Sequence, residues 1–346
     1  MRNVLVTGGS GFLGLYLVKV LLDNDYRVRI IDREGLNSAG IEEKIEFIKG
    51  DIRCKEIVRE VCKGIDYVFH NAAALPISRS KKKILREVNA GGTQNVLDAC
   101  LCERVKKVVF ISSSATYGIP KDCPITENTE FNPVCNYGRS KIEAERICNE
   151  FRKKRLDITI LRPRTVVGEG RLGIFQILYS WIAQGKNIYI IGRGDNPYQL
   201  LSKKDLASAC ILSIEKYCKN EDFNLGAEKF GTVREALQDL IEYAKSASKI
   251  VSLPSGFAKI VLGTLDALSL SPFTAWHYMT PDRPFYFDIS KAKKILGWQP
   301  EMSNCDMFKE SYNWYLSHRE EVDFEFGITH SKSARQRILR VLKGLS

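Results

Sequence analysis

Tyr137 and Lys141, in the stretch "NYGRSK", stand four residues apart. On a helix that spacing puts both side chains on one face, a turn apart. A phenol, with an ordinary pKa of about 10, is a poor base at neutral pH. A nearby ammonium and a positively charged ring bound beside it would favour phenolate and bring the group into a useful range. Upstream, "SSSATYG" (112–118) offers Ser113 or Ser114 to hold a substrate oxygen by a hydrogen bond. Such a Ser, Tyr and Lys set suits removal of a proton from a secondary alcohol. A Tyr–Lys pair at this spacing is also an ordinary surface turn, so the surrounding elements decide.

The first of those elements is a glycine turn. "TGGSGFLG" places Gly8, Gly11 and Gly14 three residues apart, after the apolar run "NVLVTG" (3–8) and at the start of the helical pattern "GFLGLYLVKVLLDND" (11–25). A pyrophosphate at a helix N-terminus meets free N–H groups, here in the turn containing Phe12 and Leu13, and the positive end of the dipole. Gly8 permits the sharp turn, Gly11 lets backbone approach phosphate, and Gly14 allows close helix–strand packing. Asp32 ends "RVRIID" (27–32), the strand candidate that follows the helix opened by this turn. Its carboxylate can accept hydrogen bonds from both adenosine ribose hydroxyls and would repel a 2′-phosphate, which favours NAD over NADP. Arg33 next to it could instead pair with such a phosphate.

As far as position 165 the chain continues as alternating strand and helix. "IEFIKGD" (45–51), "DYVFHNAA" (66–73), "VKKVVFISSS" (105–114) and "DITILRPRTVVG" (157–168) read as strands; "REVNAGGTQNVLDACL" (86–101) and "YGRSKIEAERICNEFRKK" (137–154) read as helices. This rhythm means right-handed crossovers and an α/β, Rossmann-type, doubly wound parallel sheet. Residues 1–165 are expected to form the dinucleotide-binding domain. Residues 166–328 form a smaller α+β substrate subdomain, from which a segment around 199–217 returns to the sheet. Helices are expected at 173–192 (followed there by a short strand), 202–217 with Ser202 as N-cap, 231–248 with Thr232 and Glu235 as a capping box, and 288–298. The segment 256–271 is apolar for about four turns.

Composition narrows the setting. The 346 residues are 44% hydrophobic and 27% charged, as in a globular protein with a real core. The net charge of +11 suits an anionic partner, or serves solubility. Ten cysteines without a CxxC pair give no zinc spacing and no disulfide framework, so no metal is expected. The N-terminus is no signal peptide and no run of about 18 apolar residues is present, which together point to the cytoplasm. No aromatic-rich basic motif supports nucleic acid as a partner. The tail 329–346 has five Lys or Arg and no acid, with Ile338, Leu339, Val341, Leu342 and Leu345 roughly on one face. It could meet an anionic membrane peripherally.

Taken in order, "TGGSGFLG", "HNAA", "VNAGGTQNVLDAC", "SSSATYG", "YGRSK", "LRPRTVVG" and "DISKAKKILGWQP" make nearly the whole chain resemble the extended short-chain dehydrogenase/reductases of the NAD-dependent epimerase/dehydratase type. The resemblance implies that Asp51 and Ile52 flank the adenine. It implies that Asn71, Ala72 and Ala73 line the cofactor with Asn89 and Ser112 near it, and that Pro163 sits by the nicotinamide. It places the catalytic Ser on Ser113, with Tyr137 as base and Lys141 tuning the phenol and binding the nicotinamide ribose. Ser114 and Ala115 stand where 4,6-dehydratases carry an acidic pair, which disfavours elimination. Thr165 replaces a usual asparagine and Tyr198 a diphosphate-binding arginine. Ser114, Thr165, Arg164 and Tyr198 are thus the substrate candidates, and Arg164, Arg171 or Arg193 could take the missing arginine's place. His70, Cys135, Glu169 and Asp205 weigh less. The implied activity is a nucleotide-sugar 4-epimerase, acting as a homodimer through helices 86–102 and 137–154. The alternatives are a dehydrogenase of a sterol-like or lipid-linked alcohol, suggested by 256–271, and a non-catalytic dinucleotide-binding protein.

Overall fold

Val4, Leu5 and Val6 are all fully buried, so their strand needs cover on both faces. The computed structural model, which describes residues 2–36, 40–75, 82–171, 173–267 and 275–324, shows that cover. Strands β1 (Asn3–Thr7), β2 (Arg27–Asp32), β3 (Ile45–Lys49), β4 (Tyr67–His70), β5 (Lys107–Ile111) and β6 (Ile158–Pro163) lie in the order β3-β2-β1-β4-β5-β6, every pair parallel. Between them run α1 (Phe12–Asp23), α2 (Lys55–Cys62), α3 (Lys82–Arg86), α4 (Gly92–Cys102) and α5 (Asn136–Lys153), with a π-helical turn, Glu87–Gly91, joining α3 to α4. In register, Val4 faces Val28 on one side and Tyr67 on the other. The strand order reverses between β1 and β4, and a doubly wound sheet opens its ligand crevice there, beyond the strand C-termini.

After β6 the chain makes β7 (Val166–Val167), α6 (Ile174–Ala183), β8 (Ile188–Ile191) and β9 (Leu201–Ser202) outside the large sheet. It then returns. Helix α7 (Lys203–Glu215) packs on α1, and β10 (Asp222–Leu225) pairs with β6 as the seventh strand, Asp222 opposite Ile160. Ser202 caps α7 by accepting from the Asp205 N–H at 2.9 Å. Helix α8 (Val233–Tyr243) begins with the expected box: Thr232 Oγ1 accepts from Glu235 N at 3.2 Å and Glu235 Oε2 accepts from Thr232 N at 2.7 Å. Strand β11 (Ile250–Leu253) pairs with β8, and α9 (Ser255–Ala267), α10 (Ala275–Met279), α11 (Ser290–Leu296) and α12 (Asn304–Phe324) complete the chain.

Of the four apolar clusters among the described residues, three hold these layers and the fourth gathers Tyr117, Ile125, Phe285 and Phe287. Leu17, Val18 and Leu21 of α1 meet Val4 and Val6, and the same cluster takes Leu206 of α7, Leu296 of α11 and Trp298. On the other face, Leu5, Val68 and Val108 meet Val96, Leu97, Cys148 and Phe151. The third cluster is aromatic and lies beyond the sheet, with Phe175, Tyr179, Trp181, Tyr312 and Tyr315 from α6 and α12. The basic tail 329–346 and residues 268–271 of the apolar segment lie outside the described residues. Among the described residues no helix is long and apolar enough to cross a membrane, and no cluster of His, Cys, Asp or Glu could hold a metal ion.

Candidate active site

A cavity of about 1390 Å³ runs along the C-terminal ends of β1, β4, β5 and β6. The glycine turn forms one end. Gly8 adopts φ +72°, and a Cβ there would stand 2.8 Å from Ala72 Cα. A Cβ on Gly14 would come within 2.1 Å of Gly8 O, so only glycine lets α1 start against β1. Gly11 is the N-cap of α1 and has no side chain to occupy the free N–H groups of the first turn, which include Phe12 and Leu13. That is a cradle an anion can fill.

Asp32 is fixed at the same end, its two oxygens accepting from Ser10 N at 2.9 Å and Glu34 N at 3.1 Å. Arg33 reaches Asp51 at 3.5 Å, and Arg53 holds the same carboxylate at 2.6 Å. The hydrogen bond from Arg53 keeps the Asp51 carboxyl below its ordinary range. Ile52 lines the cavity beside it and packs on Gly92, whose Cβ would come within 2.4 Å. Asn71 donates to Gly8 O at 3.2 Å, and Ala72 N donates to Thr7 Oγ1 at 3.1 Å, so the strand end 71–73 is pinned to the glycine turn. His70 shares hydrogen bonds with Thr7 at 2.7 Å and Thr93 at 2.9 Å, and burial pushes its pKa down to about 3, so it stays neutral. Asn89 is buried and bonds Ala74 at its N and O, at 2.7 and 3.1 Å, and Ser140 at 2.9 Å. It braces the cofactor loop from behind. These residues fit NAD: an uncapped helix start, a close-packed glycine turn and a fixed carboxylate at the end of the neighbouring strand β2.

The three serines divide. Ser112 Oγ donates to Glu145 Oε1 at 2.5 Å. Ser113 Oγ accepts from Ala115 N at 3.2 Å, and Ser113 is the serine that acts on the Tyr137 phenol, favouring its ionised form. Ser114 Oγ accepts from Arg164 Nη1 at 3.4 Å. Of the two sequence candidates, Ser113 is therefore the one at the phenol. Burial pushes Tyr137 up to about 12, opposed by the nearby Ser113 hydroxyl and by the charge of Arg171. Lys141 is turned toward β5. Its Nζ donates to Ile111 O at 2.8 Å and lies 4.8 Å from the Phe110 ring centre. Burial pushes its pKa down to about 8, and Glu145 acts against that.

Pro163, Thr165, Arg171, Tyr198, Trp276 and His277 wall the other end. Burial pushes Arg171 down to about 9 and its Nε has no hydrogen-bond partner among the described residues. Burial, with the charge of Arg171, pushes His277 down to about 4. Arg164 is 1% exposed; it donates to Gln199 O at 2.9 Å and lies 3.9 Å over the Phe285 ring and 4.8 Å over Tyr198. It lines the cavity beside Ser114. Arg193 is 85% exposed and paired with Asp195, apart from the cavity. Glu169 pairs with Lys203, and Asp205 is consumed by Ser202 and Glu301 N. Cys135 lines the cavity, its thiol pushed up by burial. Helix α9 contributes nothing to this wall; Phe257 and Ile260 on it are exposed. Sequence reasoning missed Glu145 and Arg162 below the serines, although Glu145 follows Lys141 by one helical turn. It also missed α10, which is too short to carry a periodic signal.

The family model for the NAD dependent epimerase/dehydratase family matches residues 4–226. A rhizobial protein described as "Uncharacterized protein y4nG", from Sinorhizobium fredii, is 42% identical over 99% of this chain and 86% of its own length. The UDP-glucose 4-epimerase of Lactobacillus helveticus is 31% identical over 91% of this chain and 98% of its own. Among solved structures, the UDP-glucose 4-epimerase of Thermotoga maritima with UDP-glucose is similar at a TM-score of 0.76 and 26% identity, covering 92% of this chain and 100% of that one. A glycine cradle with Asp32 beside it, Ser113 and Tyr137 together on the cavity wall, and these matches place the chain in the NAD-dependent epimerase/dehydratase family, as an NAD-dependent enzyme of the extended short-chain dehydrogenase/reductase type.

Proposed function

We propose that the protein is a nucleotide-sugar 4-epimerase. The placement of Ser113, Tyr137 and Lys141 together on the cavity wall, at the end of β5 and the start of α5, carries this reading. With NAD bound, the chemistry supplied is acceptance of a hydride from the sugar's C4 and its return. Tyr137 takes the proton from the 4-hydroxyl as that C–H bond breaks, which leaves a 4-ketone. Ser113 holds the oxygen by a hydrogen bond throughout. The ketone turns over in the wide cavity, and Tyr137 gives the proton back once the other face has been reduced. No net redox change results. Lys141 holds the nicotinamide ribose, and Gly8, Gly11, Phe12, Leu13, Gly14, Asp32, Asp51, Ile52 and the strand end 71–73 hold the rest of the cofactor. Arg171 and the serines face the substrate, and a cation there suits a substrate with anionic groups. Helix α9, the described part of the apolar segment that suggested a sterol-like alcohol, lines none of the cavity. We further read α4 and α5 as the homodimer face and the cytoplasm as the location.

The test is incubation with UDP-glucose, UDP-galactose and UDP-glucuronic acid, separating products by chromatography while following reduced nicotinamide by absorbance. Interconversion at C4 without net reduced cofactor supports the reading. Stoichiometric reduced cofactor with an oxidised product would make the protein a dehydrogenase instead.

A further inference from the structure

A buried ion network lies directly beneath the serines and the lysine. Glu145, on α5 four residues after Lys141, is 2% exposed. It accepts from Ser112 Oγ at 2.5 Å. Arg162 Nε donates to both of its oxygens, at 3.0 and 3.1 Å, and Nη2 donates to Oε2 at 2.8 Å. Arg162, 3% exposed at the end of β6, also donates to Asp222 Oδ2 on β10 at 2.8 Å and to the Tyr117 hydroxyl at 3.1 Å. Arg152 holds the other Asp222 oxygen at 2.7 Å. One cluster thus ties together the end of β5, helix α5, and strands β6 and β10.

Buried ion pairs of this kind add little stability over well-packed apolar side chains, and their clearest use is to specify an arrangement. Two things depend on the arrangement here. Ser112 is the neighbour of Ser113, so its bond to Glu145 sets where β5 ends against α5. Lys141 is surrounded by His70 from β4, the Phe110 ring and Ile111 carbonyl from β5, and Glu145 and Cys148 of its own helix. His70 is neutral and burial pushes the Cys148 thiol up, so Glu145 is the anion in that shell.

We propose that Glu145 and Arg162 are positioning residues of the hydride-transfer site: Arg162 fixes the Glu145 carboxylate where it anchors Ser112, and hence Ser113, and where its charge sustains the Lys141 ammonium in a dry pocket. This rests on the reading of Ser113, Tyr137 and Lys141 given above. A charged donor binds the ribose hydroxyls more strongly than a neutral amine. Affinity for the cofactor then reports the state of Lys141 without any substrate.

The experiment is fluorescence titration of the full-length wild type, Glu145→Gln and Glu145→Asp with NADH across the neutral-to-alkaline range. Wild-type affinity is expected to fall as pH rises through about 8, where Lys141 loses its proton. In Glu145→Gln the midpoint should move down by about one pH unit, because the opposite charge that favours the ammonium is gone. Glu145→Asp should restore it. The midpoint is read from molecules that bind, so a smaller folded fraction does not mimic the shift. A Glu145→Gln midpoint equal to that of wild type, or affinities flat with pH in both, would overturn the proposal. A failure of the catalytic reading shows separately, as turnover that survives loss of the Tyr137 hydroxyl.

Discussion

Arg162 and Arg164 lie two residues apart at the end of β6, both almost fully buried, and they are treated in opposite ways. Arg162 has two carboxylates, a phenol and two aromatic rings around it; against the desolvation that would lower its pKa, Glu145, the Tyr117 phenol and Asp222 raise it. Arg164 has a carbonyl, a serine and three rings; its Nη2 has no partner among the described residues, and burial lowers its pKa. Strand alternation would put residues two apart on one face, but β6 ends at Pro163, so Arg162 belongs to the strand under the serines while Arg164 belongs to the segment that leaves it along the substrate wall. Below the site, buried charge is matched. At the wall, the charge on Arg164 and Arg171 is left short of carboxylates, with Arg164 Nη2 and Arg171 Nε unpartnered among the described residues. Natural sites commonly sacrifice stability in this way.

Substitutions can break or sharpen that contrast. Arg162→Met leaves the Glu145 carboxylate buried and unmatched, and should lower stability by about 3–5 kcal/mol in denaturant unfolding. A loss below that of Arg164→Met would break the comparison. Lys141→Met should raise the stability of the cofactor-free protein at neutral pH by roughly 1–3 kcal/mol. The sign follows from a folded pKa of about 8 against an ordinary 10.5. Below about 8 the group is charged in both states and the folded state alone bears the desolvation. Between the two values the folded protein has released its proton and the unfolded chain has not, so wild-type stability rises with pH and the gap to the variant closes. A gap that widens with pH would contradict this. Arg164→Met has the smallest expected effect, within about 1 kcal/mol of wild type, because its lost ring contacts and hydrogen bonds offset the relief of desolvation. A large loss would mean that Arg164 is a structural strut.

Much of the frame was legible because it is local. Strands such as "VVFI" have no alternation and must be covered on both faces, and the glycine turn, Ser202 and Thr232 announce helix starts within a few residues. The seventh strand was not legible. "DFNL" is short, with an acid and an amide, and its place depends on pairing with the distant β6, Asp222 against Ile160. The site was legible in its residue types and less so in their contacts. The Tyr–Lys spacing suggested an ammonium beside the phenol, whereas Lys141 Nζ is bonded to Ile111 O and the cation acting on Tyr137 is Arg171. Nothing in the sequence singles out Glu145 or Arg162 from the chain's other charged residues. Only the meeting of α5, β6 and β10 shows that they are buried together.

The most direct test of the account is Tyr137→Phe, which removes one oxygen and keeps the ring. Turnover of the nucleotide sugar used by the wild type should fall by roughly a hundredfold or more, while NADH affinity stays close to normal. Near-normal turnover in that variant would contradict the assignment of Tyr137 as the base, and with it the chemistry built on Ser113 and Lys141.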